Sequence, residues 1–218
     1  MSEAAPRRPY RSDLRARQAR RTRRAVVDAA IGLFVAHGYA DTTLDAVADA
    51  AGVSRRTVVN AVGGKSALLS LAWDVSLVGD DEPVPMAERP AVLAILASTD
   101  PTESVRLWAE MTVDVVARAA PIGRALEAAA DVDADAAALL AKADAERLEG
   151  ARAFARHLAS IGGLASGVTV ERAADAFWAL DDGASYRRLV LERGWSTAAY
   201  GHWLEGQARA SADATTSP

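Results

Sequence analysis

Most of the chain follows one rhythm. Between Arg21 and His37 the apolar side chains Val27, Ala30, Ile31 and Phe34 recur three and four places apart, as on one face of a helix, and Gly38 follows as a stop. Leu44, Val47, Ala48 and Ala51 repeat that spacing over two turns, with Thr42 or Thr43 placed to cap the start and Gly52 to end it. A third helix begins almost at once. Ser54 is its cap candidate, and Val53 and Val58 bracket that cap as a hydrophobic staple, which fixes the direction in which the chain joins the helix. Two short helices joined by a tight turn containing glycine make a helix-turn-helix pattern. Its second helix opens with Arg55, Arg56 and Thr57, and in such motifs the first residues of the second helix reach base edges in the major groove. An ordinary helical hairpin has the same spacing, so periodicity alone leaves both readings open.

The helical rhythm continues to the end. Leu68, Leu71, Ala72, Val75 and Val78 share a face, and "GDDEPVPMAERP", with its three prolines, breaks that helix. Asp100 followed by Pro101 reads as a cap and a first helical residue. Val105, Trp108, Met111 and Val115 then line one side. Alanine-rich helices fill 122–160, "GGLASG" is a loop, and Thr169 and Ser196 cap the last two helices. Ala173, Ala174 and Phe177 face inward on the first of these; Tyr200, Trp203, Leu204 and Gln207 share a face on the second. The fold class expected is all-α.

Charge divides the chain. Residues 1–65 hold twelve basic side chains against six acidic, a net of +6; residues 66–218 hold thirteen against twenty-three, a net of −10. Nine arginines fall between Arg7 and Arg24. Such asymmetry marks one part that meets a polyanion and another that does not. It turns the helix-turn-helix pattern towards duplex DNA. Residues 1–19 read as a disordered basic arm, 20–66 as the helix-turn-helix domain, 67–210 as a second helical domain and 211–218 as a disordered tail.

Other chemistry finds little support. "GGKS" at 63–66 suggests the end of a phosphate-binding loop, but the first glycine of that motif would fall at Val59, and a helix rather than a strand precedes it. With no cysteine there is no disulfide, thiolate metal site or cysteine nucleophile. His37, His157 and His202 form no H-E-x-x-H pair, and "DVDAD" at 131–135 lacks the glycine and glutamate of a calcium loop. No G-x-S-x-G occurs. No enzyme activity, cofactor or metal is expected. The N-terminus carries no apolar secretory segment and no run approaches the length of a membrane span, so a soluble cytoplasmic protein without a membrane partner is expected.

The blocks "AAIGLFVAHGY", "TTLDAVADAAGVSRRT" and "GKSALL", at these spacings between about Thr22 and Leu69, resemble the tetracycline-repressor (TetR) family of bacterial transcription regulators. The stretch from Ala173 to Gln207 is similar to the last helices of many members, while 80–165 carries no specific similarity. The resemblance implies an all-helical homodimer. An N-terminal three-helix domain binds a double-stranded DNA operator, and a C-terminal helical domain binds a small-molecule effector and dimerises. It implies that Gly63, Gly64 and Lys65 start a fourth helix beside the DNA backbone, where N–H groups and a lysine hold a DNA phosphate. Arg55, Arg56, Thr57 and Asn60 are the base-reading candidates, since arginine suits guanine and asparagine suits adenine. Thr43, Ser54 and Lys65 are candidates for phosphates, and Arg20, Arg21, Arg23, Arg24 and Thr42 complete the expected DNA surface. Where the family usually has an aromatic residue, often a tyrosine that touches phosphate, this chain has Val59, and it has Val62 at a second aromatic position. Trp108, Met111, Phe154 and Trp178 lie on helices the family would place around an effector cavity, with His157, Arg106 and Asp114 as possible orienting groups. Tyr200, Trp203 and Leu204 are expected at the dimer interface. The function expected is a ligand-responsive repressor. The alternative is a dimeric ligand-binding protein of the same fold that has lost operator recognition.

Overall fold

The computed structural model describes residues 9–80 and 82–213, and no strand occurs among them. Ten helices follow in order: α1 (Pro9–Asp41), α2 (Leu44–Ala51), α3 (Arg55–Val62), α4 (Lys65–Val78), α5 (Pro90–Ala97), α6 (Pro101–Ala130), α7 (Ala134–Ser160), α8 (Val170–Leu180), α9 (Ala184–Tyr186) and α10 (Thr197–Asp213). A single 3₁₀ turn, Met86–Glu88, precedes α5, and α9 runs directly into a π-helical segment, Arg187–Glu192.

The caps explain most boundaries. Thr43 accepts the Ala46 N–H, Ser54 the Thr57 N–H, Asp100 the Thr102 N–H and Thr169 the Arg172 N–H, each filling an acceptor role the first helical turn cannot supply itself. Gly38, with φ 79° and ψ 174°, breaks α1, as its position predicts. A side chain there would be strained, whereas glycine adopts this conformation freely. The turn sends Tyr39 back onto Phe34, the ring centres 5.8 Å apart.

Two expectations at the ends need correction. The basic segment read as a disordered arm is helical from Pro9, so α1 starts well before residue 20. Its arginines, alanines, leucine and glutamine are good helix formers and extend a helix anchored by buried residues downstream. Residues 1–8 of that arm lie outside the described residues. At the other end, Ser211 to Asp213 belong to α10, with Ala212 buried; of the expected tail, 214–218 lie outside the description.

Apolar side chains gather into two cores. The first joins α1–α4 (Val26, Phe34, Val47, Val58, Leu68, Leu69) to the end of α6 (Ile122, Leu126, Ala129) and Ala136 of α7. The second joins the start of α6 (Val105, Trp108, Val116) to α5, α7, α8 and α10 through Ile95, Phe154, Phe177 and Leu204. The boundary read at 66/67 therefore falls inside one core. Helix α6 runs through both, and Pro121 lies between Ala120 of the second core and Ile122 of the first. Proline offers no N–H, so the Ala117 carbonyl loses its helical partner at this seam.

Candidate nucleic-acid interface

The outward face of α3 is set by what its inner face must bury. Val58 is fully buried and Val62 nearly so, which anchors the helix on α1 and α2. Helical spacing then turns Arg55, Arg56, Val59 and Asn60 to solvent, and all four are exposed. Val62 serves the core, as expected of a smaller residue at an aromatic position. Val59 does not: it is 44 % exposed, in the middle of the polar face.

The turn before α3 is closed by backbone bonds. Gly52 is left-handed, with φ 67°, and its N–H reaches back to α2, while Val53 N–H donates to the Ala48 carbonyl at 2.9 Å. Two candidate hydroxyls are spent on each other: Ser54 Oγ lies 2.8 Å from Thr57 Oγ1 and also accepts the Thr57 N–H. Asp45, in the first turn of α2, pairs with Arg55 at 3.3 Å, both side chains more than 60 % exposed. The pair holds Arg55 over the α2–α3 junction and contributes little stability. Arg56 and Asn60 have no side-chain partner among the described residues.

Around this face the structure redistributes several expected contacts. Thr42 is 2 % exposed and donates its hydroxyl to the Gly38 carbonyl at 2.8 Å, so it braces the break in α1 instead of facing DNA. Arg24 pairs with Asp28 one turn later, at 2.8 Å. Arg20, Arg21 and Arg23 are exposed on α1, and Thr43 is exposed at its cap. Lys65 turns inward: Nζ donates to the Ala40 carbonyl at 3.0 Å and sits 4.4 Å from the centre of the Tyr39 ring. Gly64, which starts α4, supplies no side-chain acceptor, so the first N–H groups of α4 are left to another acceptor.

Behind the lysine lies a junction no motif announced. Tyr39 Oη donates to Asp133 Oδ2 at 2.5 Å, and Asp133 is also the cap of α7, accepting from the Asp135 and Ala136 N–H groups at Oδ1. Ser66 Oγ donates to Asp135 Oδ2 at 3.0 Å. Burial first, then this acidic partner, pushes the Tyr39 phenol well above its ordinary value. The phenol's hydrogen bond, helped by the two backbone donors, holds the Asp133 carboxyl below its ordinary range.

The expected effector residues do not form one wall. Trp108 and Phe154 stack with centres 5.3 Å apart and planes 6° from parallel, and Phe177 closes on both, so this cluster is packed core. Trp178 carries the Arg147 guanidinium on its ring at 4.9 Å and accepts from it at its carbonyl. Met111 lines a different space, a cleft of about 180 Å³ between α4, α5 and α6 with Leu77, Met86, Arg89, Val115 and Arg118. His157 lies 3.3 Å from Ser104, and Arg106 is held by Glu103 and Glu110; Asp114 borders the cleft. At the expected dimer interface, Tyr200 and Leu204 are fully buried inside the protomer and only Trp203 keeps a partly open face. A shared helical face in sequence reported burial correctly but assigned it to the wrong neighbour.

Residues 26–71 match the family model described as bacterial regulatory proteins, tetR family. No curated protein matches the chain by sequence. Among solved structures, the chain is similar to a TetR transcription regulator from Haloarcula marismortui, with TM-score 0.64 and 20% identity over 88% of this chain and 96% of that one. It is similar to NalD of Pseudomonas aeruginosa, described as the secondary repressor of the MexAB-OprM multidrug efflux pump, with TM-score 0.66 and 20% identity over 91% and 100%. It is also similar to the fatty acid degradation regulator FadR of Bacillus halodurans, with TM-score 0.64 and 14% identity over 85% and 93%. At these identities the likeness is one of fold.

Proposed function

We propose that this chain, whose residues 26–71 match the family model of bacterial regulatory proteins, tetR family, is a homodimeric repressor that grips a palindromic operator through α3 and releases it when a small apolar molecule binds. The observation that carries this reading is the outer face of α3. Arg55, Arg56 and Asn60 stand exposed on a short, twice-capped helix, within a segment of net charge +6 in an otherwise acidic chain. Charge of that sign attracts phosphates, and these side-chain types then read guanine and adenine edges. A two-fold dimer would set its two α3 helices in successive major grooves, about 34 Å apart. The exposed arginines of α1, with Thr43 and the open N–H groups of α4, are the phosphate contacts in this reading.

The effector site is proposed in the cleft between α4, α5 and α6, because the Trp108–Phe154–Phe177 cluster is already filled. The cleft's two methionines and its aliphatic side chains suit an apolar molecule, with Arg89, Arg118 and Asp114 to orient a polar end. Effector binding releases DNA only if it favours the non-binding state by several kcal/mol, about 5.5 for near-complete switching.

The inward turn of Lys65, which takes a phosphate candidate away from the DNA side, favours a second reading, in which the fold persists without operator recognition. A mobility-shift titration on the DNA upstream of the gene decides. Under the first reading a discrete complex forms, and Arg56→Ala weakens it by about 1–3 kcal/mol while relaxing preference at one base pair. Equal loss on operator and random DNA for both Arg55→Ala and Arg56→Ala would sink base reading by α3.

A further inference from the structure

We propose that Val59 is a specificity-determining residue that reads the 5-methyl group of a thymine in the major groove. The inference rests on the DNA-binding reading above and adds to it the identity of one base.

Val59 stands in the centre of the reading face. One turn before it is Arg55, Arg56 lies three places before it, and Asn60 is beside it, all exposed. Of these four exposed side chains Val59, 44 % exposed, is the apolar one, set among two guanidiniums and an amide. It is also not needed by the core, since the inward positions of α3 are filled by Val58 and Val62. The hydroxyls that could otherwise bind a base edge here, Ser54 and Thr57, are bonded to each other. The face therefore offers hydrogen-bond donors and acceptors at its corners and an apolar surface at its middle. Base edges in the major groove present one apolar feature of that size, the thymine methyl group. The same two γ-methyls cannot donate to a phosphate, so α3 exchanges a sequence-neutral contact for a sequence-reading one.

Arginine at 56 and asparagine at 60 fix the neighbourhood of that thymine. Contacts to guanine and adenine by residues one turn apart bracket the base that Val59 meets. The preferred half-site should therefore carry a thymine adjoining or opposite a purine read by Arg56 or Asn60.

The test starts with selection of bound duplexes from a random library by the full-length protein, followed by replacement of each thymine in the selected site by deoxyuridine. Deoxyuridine pairs as thymine does and lacks only the methyl group. Burying one methyl group corresponds to about a fourfold change in affinity, and on the order of tenfold when both half-sites are changed. We expect this loss at one thymine per half-site for the natural protein. Val59→Ala, which trims an exposed side chain and leaves the folded core intact, should bind thymine and deoxyuridine sites equally. Val59→Thr, similar in shape, should keep part of the discrimination. The inference is overturned if the natural protein is indifferent to deoxyuridine at every thymine, or if Val59→Ala discriminates as strongly as the natural protein. Selection that enriches no sequence would overturn the DNA-binding reading itself and this inference with it, so the two failures are separable.

Discussion

Tyr39 and Asp133 are 94 positions apart and share the shortest side-chain bond across the first core, 2.5 Å from phenol oxygen to carboxylate oxygen. One end is the turn after Gly38; the other is the cap of α7, the helix that carries Phe154 into the second core. The bond thus fastens the segment bearing α2 and α3 to the start of α7, where Asp135 in turn holds Ser66 of α4, the helix whose far end lines the proposed effector cleft.

Tyr39→Phe should keep the stacked ring on Phe34 and delete only this bond. The α7 cap survives, because Oδ1 of Asp133 retains its two backbone donors. We expect a lower urea midpoint with an unchanged denaturant slope, and an operator complex that responds less to effector. A variant with natural stability and natural effector response would show that the bond couples nothing.

Asp181 governs a pH dependence of opposite sign to that of ordinary carboxylates. Desolvation at the end of α8, with a smaller push from the Asp182 charge and an opposing pull from Arg147, raises its carboxyl to about 7. The folded state therefore favours the protonated form. This site's contribution to stability is complete below the ordinary value of 3.8 and is lost as pH rises through about 7. Asp181→Asn should flatten the decline between those limits and melt higher than the natural protein at pH 8. An identical melting difference at pH 5 and pH 8 would place the charge elsewhere.

Leu204 and Trp203 are neighbours on α10 with different duties. Leu204→Ala opens the second core and should cost about 2–5 kcal/mol of folding stability without altering the proposed dimer. Trp203→Asp puts a charge at the partly open face and should give folded monomers with weak operator affinity in sedimentation. A dimer that survives Trp203→Asp would exclude this part of α10 from the proposed interface.

The basic extension of α1 supplies the last expectation. Arg15 and Arg17 are exposed on a helix, and a phosphate held by each such residue adds about −0.9 to the slope of log K against log salt. Removing residues 1–19 takes away five arginines and should flatten the slope by up to about four units, on operator and random DNA alike. Equal slopes for the full and shortened chains would mean that the segment never touches DNA.

Local chemistry was the legible part of the sequence. Thr43, Gly52, Ser54 and Thr169 announced their helix ends because a cap or a left-handed turn is decided by a few neighbouring residues. The inward face of α3 followed from the spacing of Val58 and Val62. Partners were not legible. Spacing showed that Tyr200 and Leu204 are covered, but a buried face looks the same whether its own protomer or a second one covers it. Trp108 and Phe154 read equally well as cavity wall or as packed core, and only the distance between their rings decides. Lys65 carried a charge suited to phosphate, while the carbonyl of Ala40 and the ring of Tyr39, 25 or so positions earlier, claimed it. Contacts such as Tyr39 with Asp133 depend on where α6 delivers the chain, and no local pattern encodes that.

The route of α6 through both cores also has a bearing on birth. A chain made from its amino end presents α1 to α4 first, yet the core they belong to is complete only when Ile122, Leu126 and Ala136 have followed. That core thus stays unfinished while the ribosome is still working through α5. Domains generally fold as units during synthesis, and a unit assembled from distant segments must wait for the last of them. A gene fusion that borrowed only residues 1–80 would carry α2 and α3 with α1 beneath them, but without the α6 and α7 side chains that complete their shared core.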